Sequence, residues 1–407
     1  MNSRKLFLVL ALSLLLTGCW DKLEVEDQLF PVTLAVDKGE DHLYRVAMRV
    51  PIPASLRAGL LGGQPAAREI REIMTVEADT VEQAMYILNG SVARRISLRH
   101  LRGIAVGETL AREGMAALLA ELQRNGDIKE TAGFWIARGS ATEVLQQARP
   151  TGEYNPGKIN EGLILVQKGL HMAPPIRLQH VLARRAGIGV DPFAPVVGAN
   201  RKIMGTDGDG RKTKSAVAGD LDRMGKNPME VAGTAIIRDD RLVGFLTVDE
   251  TQALLALRGE MGKAYLTIPD PVHPGEHLTI RLQQENKPKN AITLTPNGPR
   301  VQVRLLFEGE ALGGTEDFAD PAQRRKVEQA AAAYVRETID GVNAKLVEWK
   351  ADPVGYGMML RPRFYRWQDW ADFRWRSHVP NMRVQVAIDV RLRRFGLIHK
   401  TGTVPEE

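Results

Sequence analysis

The first half of the chain alternates between two hydrophobic periods, one of about two residues and one of about 3.6. The shorter period predicts strands at residues 30–37, 44–50, 71–78, 103–107 and 134–137. The longer period predicts helices at residues 80–95, 108–123, 141–147 and 176–185. Because strands and helices alternate after residue 103, we expect a sheet covered by helices.

The second half shows a different order of patterns. Alternating runs on both sides of Asp239-Asp240-Arg241 predict a hairpin of residues 231–238 and 242–248, followed by a helix that begins at Asp249. Three further alternating runs predict one antiparallel sheet, and they lie at residues 277–285, 291–295 and 301–308.

A long helix follows, with Asp320 as its cap and Pro321 at its first position. Its apolar stripe predicts core packing, and it consists of Val335, Ile339, Val342, Leu346 and Trp349. Residues 382–392 predict a last strand. The fold class expected is α+β and multi-domain, with mixed or antiparallel sheets covered by helices and joined by a Gly-rich linker.

The linker is placed at residues 201–228, where several glycines lie among charged residues and few large apolar ones. It separates an N-terminal domain, residues 19–200, from a C-terminal domain, residues 229–400. Residues 1–18 are set apart as a leader.

The leader has the composition of a secretory signal. Arg4 and Lys5 precede an apolar run of about eleven residues, which is shorter than the ~20 residues of a membrane-spanning helix. The run closes on Thr17, Gly18 and Cys19, which is the pattern of a lipoprotein cleavage site. We therefore expect cleavage before Cys19, diacylglycerol and fatty acid such as palmitate on that residue, and anchoring to the outer face of a membrane.

Composition and charge limit the disulfides and the partners that the chain is expected to have. Cys19 is the single cysteine, so the mature chain is expected to form no disulfide, and its hydrophobic content of 44% is that of an ordinary globular protein. A net charge of +6 is compatible with anionic headgroups, whereas nucleic acid is not an expected partner of an exported protein.

Motifs for catalysis fail on their spacing. His273-Pro274-Gly275-Glu276-His277 has the letters of an inverted zinc-peptidase motif, but Pro274 and Gly275 prevent the helix that would align both histidines. Residues 205–213 approach a phosphate loop, but Arg211 displaces the lysine by one position. We expect no catalytic residue, no metal and no cofactor. Paired carboxylates that meet only in the fold stay open.

The chain resembles a known family at several points. Gly18-Cys19-Trp20-Asp21, followed by a strand ending in Val36-Asp37, is similar to the start of the Ger(x)C spore germination lipoproteins. Further similar motifs in the N-terminal half are His100-Leu101-Arg102, Val106-Gly107-Glu108, Leu110-Ala111, Ile136-Ala137-Arg138-Gly139 and Val144-Leu145. Those in the C-terminal half are Gly233-Thr234-Ala235, Arg238-Asp239-Asp240-Arg241-Leu242-Val243-Gly244, Glu250-Thr251 and Leu254-Leu255-Ala256-Leu257.

Two stretches depart from the family pattern. Gly355-Tyr356-Gly357 stands where the family often has phenylalanine between two glycines, and residues 361–376 are rich in tryptophan and arginine.

The resemblance implies an α+β fold and a C subunit of a nutrient germinant receptor, working with a multispanning A subunit and a transporter-like B subunit in the spore inner membrane. It implies assembly and signalling without catalysis. Two other classes stay open from the residues alone. A solute-binding lipoprotein requires a ligand cleft between domains. An exported wall-processing hydrolase requires carboxylates or a metal cluster in one pocket.

Overall fold

The computed structural model describes residues 24–51, 71–148, 156–204, 216–313, 318 and 320–395. Its strands are β1 Gln28–Leu29, β2 Thr33–Lys38, β3 Tyr44–Pro51, β4 Arg71–Ala78, β5 Arg95–Ile96, β6 Gly103–Val106, β7 Gly133–Ala137, β8 Phe193–Ala199, β9 Met229–Arg238, β10 Arg241–Leu246, β11 Lys263–Pro269, β12 His277–Gln284, β13 Lys289–Thr295, β14 Gly298–Ala311 and β15 Arg383–Arg394. Its helices are α1 Val81–Asn89, α2 Glu108–Glu113, α3 Ala116–Arg124, α4 Ala141–Gln147, α5 Pro156–Leu170, α6 Leu178–Ala186, α7 Arg201–Met204, α8 Val248–Arg258, α9 Pro321–Glu348, α10 Tyr356–Leu360 and α11 Trp367–Phe373.

An eight-stranded mixed sheet forms the larger core, in the order β10-β9-β8-β7-β6-β2-β3-β4. The four central strands are parallel, and both flanks are antiparallel. Every residue of β6 and β7 is buried, as expected for parallel strands covered on both faces. The sheet takes strands from both sides of residues 201–228, because β8 pairs with β9.

A five-stranded sheet forms the second core. In it, β14 pairs antiparallel with β12 and β13, β11 pairs with β12, and β15 lies parallel to β14. The antiparallel sheet predicted from three runs is confirmed for β12, β13 and β14. Helix α9 packs on β15 and α8, and it buries Ile339, Val342 and Leu346 of the predicted stripe.

Four strands were not predicted: the two-residue strands β1 and β5, and the longer strands β8 and β11. In β8, Pro195 interrupts the apolar run, and the pairing with β9 shifts register between Pro195 and Val197. Proline is tolerated in a sheet at such an irregularity, because it has no N–H to give to the ladder. β11 alternates cleanly between exposed and buried residues.

The single helix predicted at residues 108–123 is wrong, because Gly114 divides it into α2 and α3. Gly114 has a φ of 134°, which a helix cannot contain. The break lets α3 begin against the β9–β10 turn, where Asp240 accepts hydrogen bonds from the N–H groups of Met115 (2.9 Å) and Ala116 (3.1 Å).

The helix caps predicted from the sequence are confirmed only in part. Asp320 caps α9 as predicted, with its carboxylate accepting the N–H of Ala322 at 2.8 Å. The cap predicted at Asp249 is wrong, because Thr247 caps α8 in a capping box with Glu250. Asp249 instead accepts the hydroxyl of Tyr334 at 2.8 Å. The Gly-rich linker stays a prediction, since residues 205–215 lie outside the described part.

Candidate functional site

The predicted lipidation residue, Cys19, and the predicted leader lie outside the described residues. The chain joins the fold at β1, where Gln28 and Leu29 pair with Arg95 and Ile96 of β5. Gln28 is nine positions after Cys19. Among the described residues, no helix has both the length and the apolar character to cross a bilayer.

A polar groove of about 720 Å³ lies beside β1, which we call the entry point of the chain into the fold. It is bounded by α1, β5 and the end of α3, and Gln28 lies in its wall. Charges of both signs meet there, since Arg99 donates to Asp127 at 3.0 Å and Glu121 accepts the N–H of Glu82 at 3.0 Å. The groove lies within the N-terminal half, and Tyr86 is its one aromatic lining residue.

The segment from Asp352 to Arg376 has a buried half, which is centred on the carboxylate of Asp352. That carboxylate is 1% exposed and accepts the N–H groups of Gly355 (2.8 Å), Tyr356 (3.1 Å) and Gly357 (2.9 Å). It also accepts the indole N–H of Trp375 at 2.9 Å. Burial raises the pKa of Asp352 to about 6, and the four donors oppose that shift.

A second buried carboxylate joins this segment to the larger sheet. Asp191 precedes β8 and accepts the N–H of Asp352 at 2.8 Å, while its own N–H donates to the carbonyl of Asp352 at 2.9 Å. Arg376 donates to Asp191 at 2.6 Å and also to Asp239 in the β9–β10 turn. Burial raises the pKa of Asp191, and the charge of Arg376 counters the effect. The segment is therefore fastened to the larger sheet at two points.

Close packing explains the two glycines around Tyr356. Gly355 has a φ of 86°, in the left-handed region that favours glycine. A Cβ on Gly357 would lie 2.5 Å from Cδ1 of Trp375 and 2.7 Å from Cα of Gly189. Trp370 and Trp375 are fully buried, so two of the three tryptophans in residues 361–376 belong to the core.

The other half of the segment is exposed, and it mixes large apolar side chains with charged ones. Tyr365 is 98% exposed and Trp367 58%, and Met358 and Met359 are 47% and 40% exposed. The guanidinium of Arg361 lies 5.5 Å from the centre of the Trp367 ring, which brings the end of α10 next to the start of α11. We call these five residues the aromatic patch. Tryptophan, tyrosine, methionine and arginine are the residue types enriched in protein interfaces.

Comparison with known proteins identifies the family. The model "Spore germination protein N-terminal domain" matches residues 21–199, and the model "Spore germination B3/ GerAC like, C-terminal" matches residues 232–396. The chain belongs to the GerAC-like family of spore germination proteins. The two matches follow each other in the order that the sequence resemblance predicted, and the predicted family is confirmed.

Relatives of this GerAC-like chain match along most of their length. It is 26% identical to putative spore germination protein YfkR of Bacillus subtilis (strain 168), over 98% of each chain. It is 24% identical to spore germination protein KC of the same organism, over 96% of this chain and 95% of that protein. The crystal structure of the GerBC protein has the same fold, with a TM-score of 0.53, 16% identity, and coverage of 88% of this chain and 96% of that one. The predicted α+β class is confirmed.

The motifs rejected from the sequence of this GerAC-like protein have separate outcomes. Residues 205–213 lie outside the described part, and the expected absence of metal and of catalytic residues stays a prediction. His277 is the exposed first residue of β12, whereas His273 lies in the preceding turn, where its Nδ1 is 3.0 Å from Oδ2 of Asp270. The structure groups His273 with Asp270 and Glu276, a set that the spacing of the motif did not indicate.

Proposed function

We propose that this chain is the C subunit of a nutrient germinant receptor, anchored by lipid and acting without catalysis in receptor assembly and germination signalling. Membership in the germination family supports the receptor role. The observation that carries the assembly role is the aromatic patch on a segment fastened through Asp352 and Asp191. A backbone held in place before binding loses less entropy when a partner covers it.

The anchor in this proposal is diacylglycerol on Cys19, exposed by removal of residues 1–18. Gln28 is fixed in the fold nine positions later, and an extended chain covers at most about 3.5 Å per residue. The entry point and the polar groove beside it then lie within about 30 Å of the bilayer. The family resemblance suggests the spore inner membrane as that bilayer.

The partners in this proposal are the membrane-embedded A and B subunits, and the aromatic patch is the surface offered to them. Exposed apolar groups of this size are stabilised when a partner removes them from water, by about 25 cal/mol for each Å² covered. Trp367 and Tyr365 belong to residue types that contribute most of the binding free energy at the centres of interfaces.

The two other classes fit the geometry less well. A solute-binding lipoprotein needs a cleft between domains, but the 720 Å³ groove lies within the N-terminal half. A hydrolase needs carboxylates or a metal cluster in one pocket. The groove has the carboxylates of Glu82, Glu121 and Asp127 in its wall, but each of them accepts a hydrogen bond within the fold. The cluster of Asp270, His273 and Glu276 does not line that groove.

The assembly role is tested with the double variant Tyr365→Ala/Trp367→Ala, expressed with the A and B subunits of the same organism. Recovery of A and B with the purified variant from detergent extracts should fall by about tenfold or more, because two interface aromatics are lost. Tyr86→Ala is the matched control, since Tyr86 is 81% exposed and lies in the groove. Undiminished recovery of both subunits by the double variant would contradict the proposal.

A further inference from the structure

We propose that the turn between β11 and β12 is a binding site for one divalent transition-metal ion, with Asp270, His273 and Glu276 as its ligands. Each residue offers one ligand atom, and these atoms all lie within 4.8 Å of one another. The backbone closes the turn, since Asp270 N–H donates to the carbonyl of Glu276 at 3.0 Å and Glu276 N–H donates to the carbonyl of His273 at 3.2 Å. These backbone hydrogen bonds therefore fix the positions from which the three side chains extend.

The spacing of the first two ligands already suits a metal. Oδ2 of Asp270 and Nδ1 of His273 are 3.0 Å apart. Two ligand atoms about 2.1 Å from one ion at an angle of roughly 90–110° are about 3.0–3.4 Å apart. The other oxygen of Asp270, Oδ1, accepts the N–H of Val272 at 2.7 Å. A hydrogen bond of this kind orients a ligating carboxylate toward its ion.

Burial and charge define what the site would hold. The side chain of Asp270 is 0% exposed, that of His273 is 41% exposed, and Glu276 is exposed. An ion would be held from the protein side by Asp270 and would keep water on its outer side, where Glu276 lies. Two carboxylates balance a charge of +2. One imidazole with two carboxylates favours Zn²⁺ or Mn²⁺ over Ca²⁺, which prefers oxygen ligands, and over Cu⁺, which prefers sulfur.

This proposal departs from the expectation, drawn from the sequence, that the chain holds no metal. The site also differs from the zinc-peptidase motif that the sequence suggested and excluded. That motif requires His277, which here begins a strand and lies outside the cluster. The ligand that the sequence spacing did not reveal is Asp270, at the end of β11. The proposal does not depend on the proposed receptor function.

The test is calorimetric titration with Zn²⁺ of the full chain in detergent, without a histidine tag and after removal of bound metal by a chelator. One equivalent should bind, with a Kd in the ~micromolar range or tighter. His273→Gln and Glu276→Gln should each weaken binding by about tenfold or more, because each removes a ligand. Zn²⁺ should raise the melting temperature of the parent protein and of neither variant.

Two histidines serve as matched controls. His277→Gln removes the neighbouring histidine of the rejected motif, and His42→Gln removes another histidine whose Nδ1 lies beside an aspartate, 3.2 Å from Asp79. Both should bind Zn²⁺ like the parent. Glu276 is exposed, so Glu276→Gln keeps the test valid if His273→Gln unfolds. Absence of stoichiometric binding by the parent would overturn the proposal, as would an equal loss in His277→Gln.

Discussion

At the scale of single residues, Asp352 does the most to hold the candidate site together. Its buried carboxylate accepts hydrogen bonds from four N–H donors and is not required to donate one. This arrangement suits a carboxylate, which only accepts, and opposes an amide, which must also donate. The buried half of the segment from Asp352 to Arg376 thus depends on one side chain having two accepting oxygens.

We expect Asp352→Asn to lower the free energy of unfolding by about 3 kcal/mol or more, because the amide NH₂ would face N–H donors in a buried site. Urea unfolding measures the change. Asp369→Asn is the matched control, since Asp369 is exposed in α11 of the same segment and its replacement should change stability by less than about 0.5 kcal/mol. Equal stability of the two variants would rule out this role for Asp352.

At the scale of elements, the break between α2 and α3 is built into the sequence at Gly114. A Cβ there would meet Oδ2 of Asp240 at 3.0 Å, and the φ of 134° is one that alanine rarely adopts. By contrast, Gly341 lies inside α9 with nothing within 4 Å of an added Cβ.

Gly114→Ala should therefore destabilise the protein by about 1–2 kcal/mol, and Gly341→Ala should stabilise it by about 0.5–1 kcal/mol through helix propensity. Thermal unfolding of the two variants beside the parent measures the sign of each change in stability. If Gly114→Ala also stabilised the protein, α2 and α3 would have to form one continuous helix in solution.

The elements also show what the sequence predicts and what it does not. Local patterns predicted β4 and α4 with their observed bounds, because an alternating or helical period is a property of neighbouring residues. They did not predict β8, whose Pro195 is acceptable only because the neighbouring strand β9 shifts register beside it. They placed the cap of α8 at Asp249 and missed the local capping box of Thr247 with Glu250. The bond of Asp249 with Tyr334, far along the chain, could not be predicted from local patterns.

At the scale of the whole molecule, anchoring and folding are expected to be separable. Cys19 lies nine positions before Gln28, the first residue of β1, so we expect Cys19→Ala to fold normally. It should nevertheless fail to support nutrient germination at native expression, because confinement to one membrane surface raises the effective concentration of the partners. Spores carrying Cys19→Ala, with protein level and melting temperature checked, provide the measurement. A full nutrient response from an unlipidated and normally abundant protein would show that the anchor is dispensable.

The candidate site could not be predicted at this scale. Asp191 and Arg376 are 185 positions apart, and only the fold brings them together with Asp352. The available signal was local: two glycines around Tyr356, close to a stretch rich in tryptophan. It marked the right segment, but it did not separate buried Trp375 from exposed Trp367.

The pairing of β8 with β9 limits how proteins of this kind can diverge. The boundary between the two family models falls between these strands, yet the strands are neighbours in one hydrogen-bonded ladder. A gene that exchanged one half with a relative would place a foreign strand beside β8, opposite Pro195 and its register shift. The two halves are therefore expected to be inherited as one unit, with surfaces that diverge by substitution and not by recombination between β8 and β9.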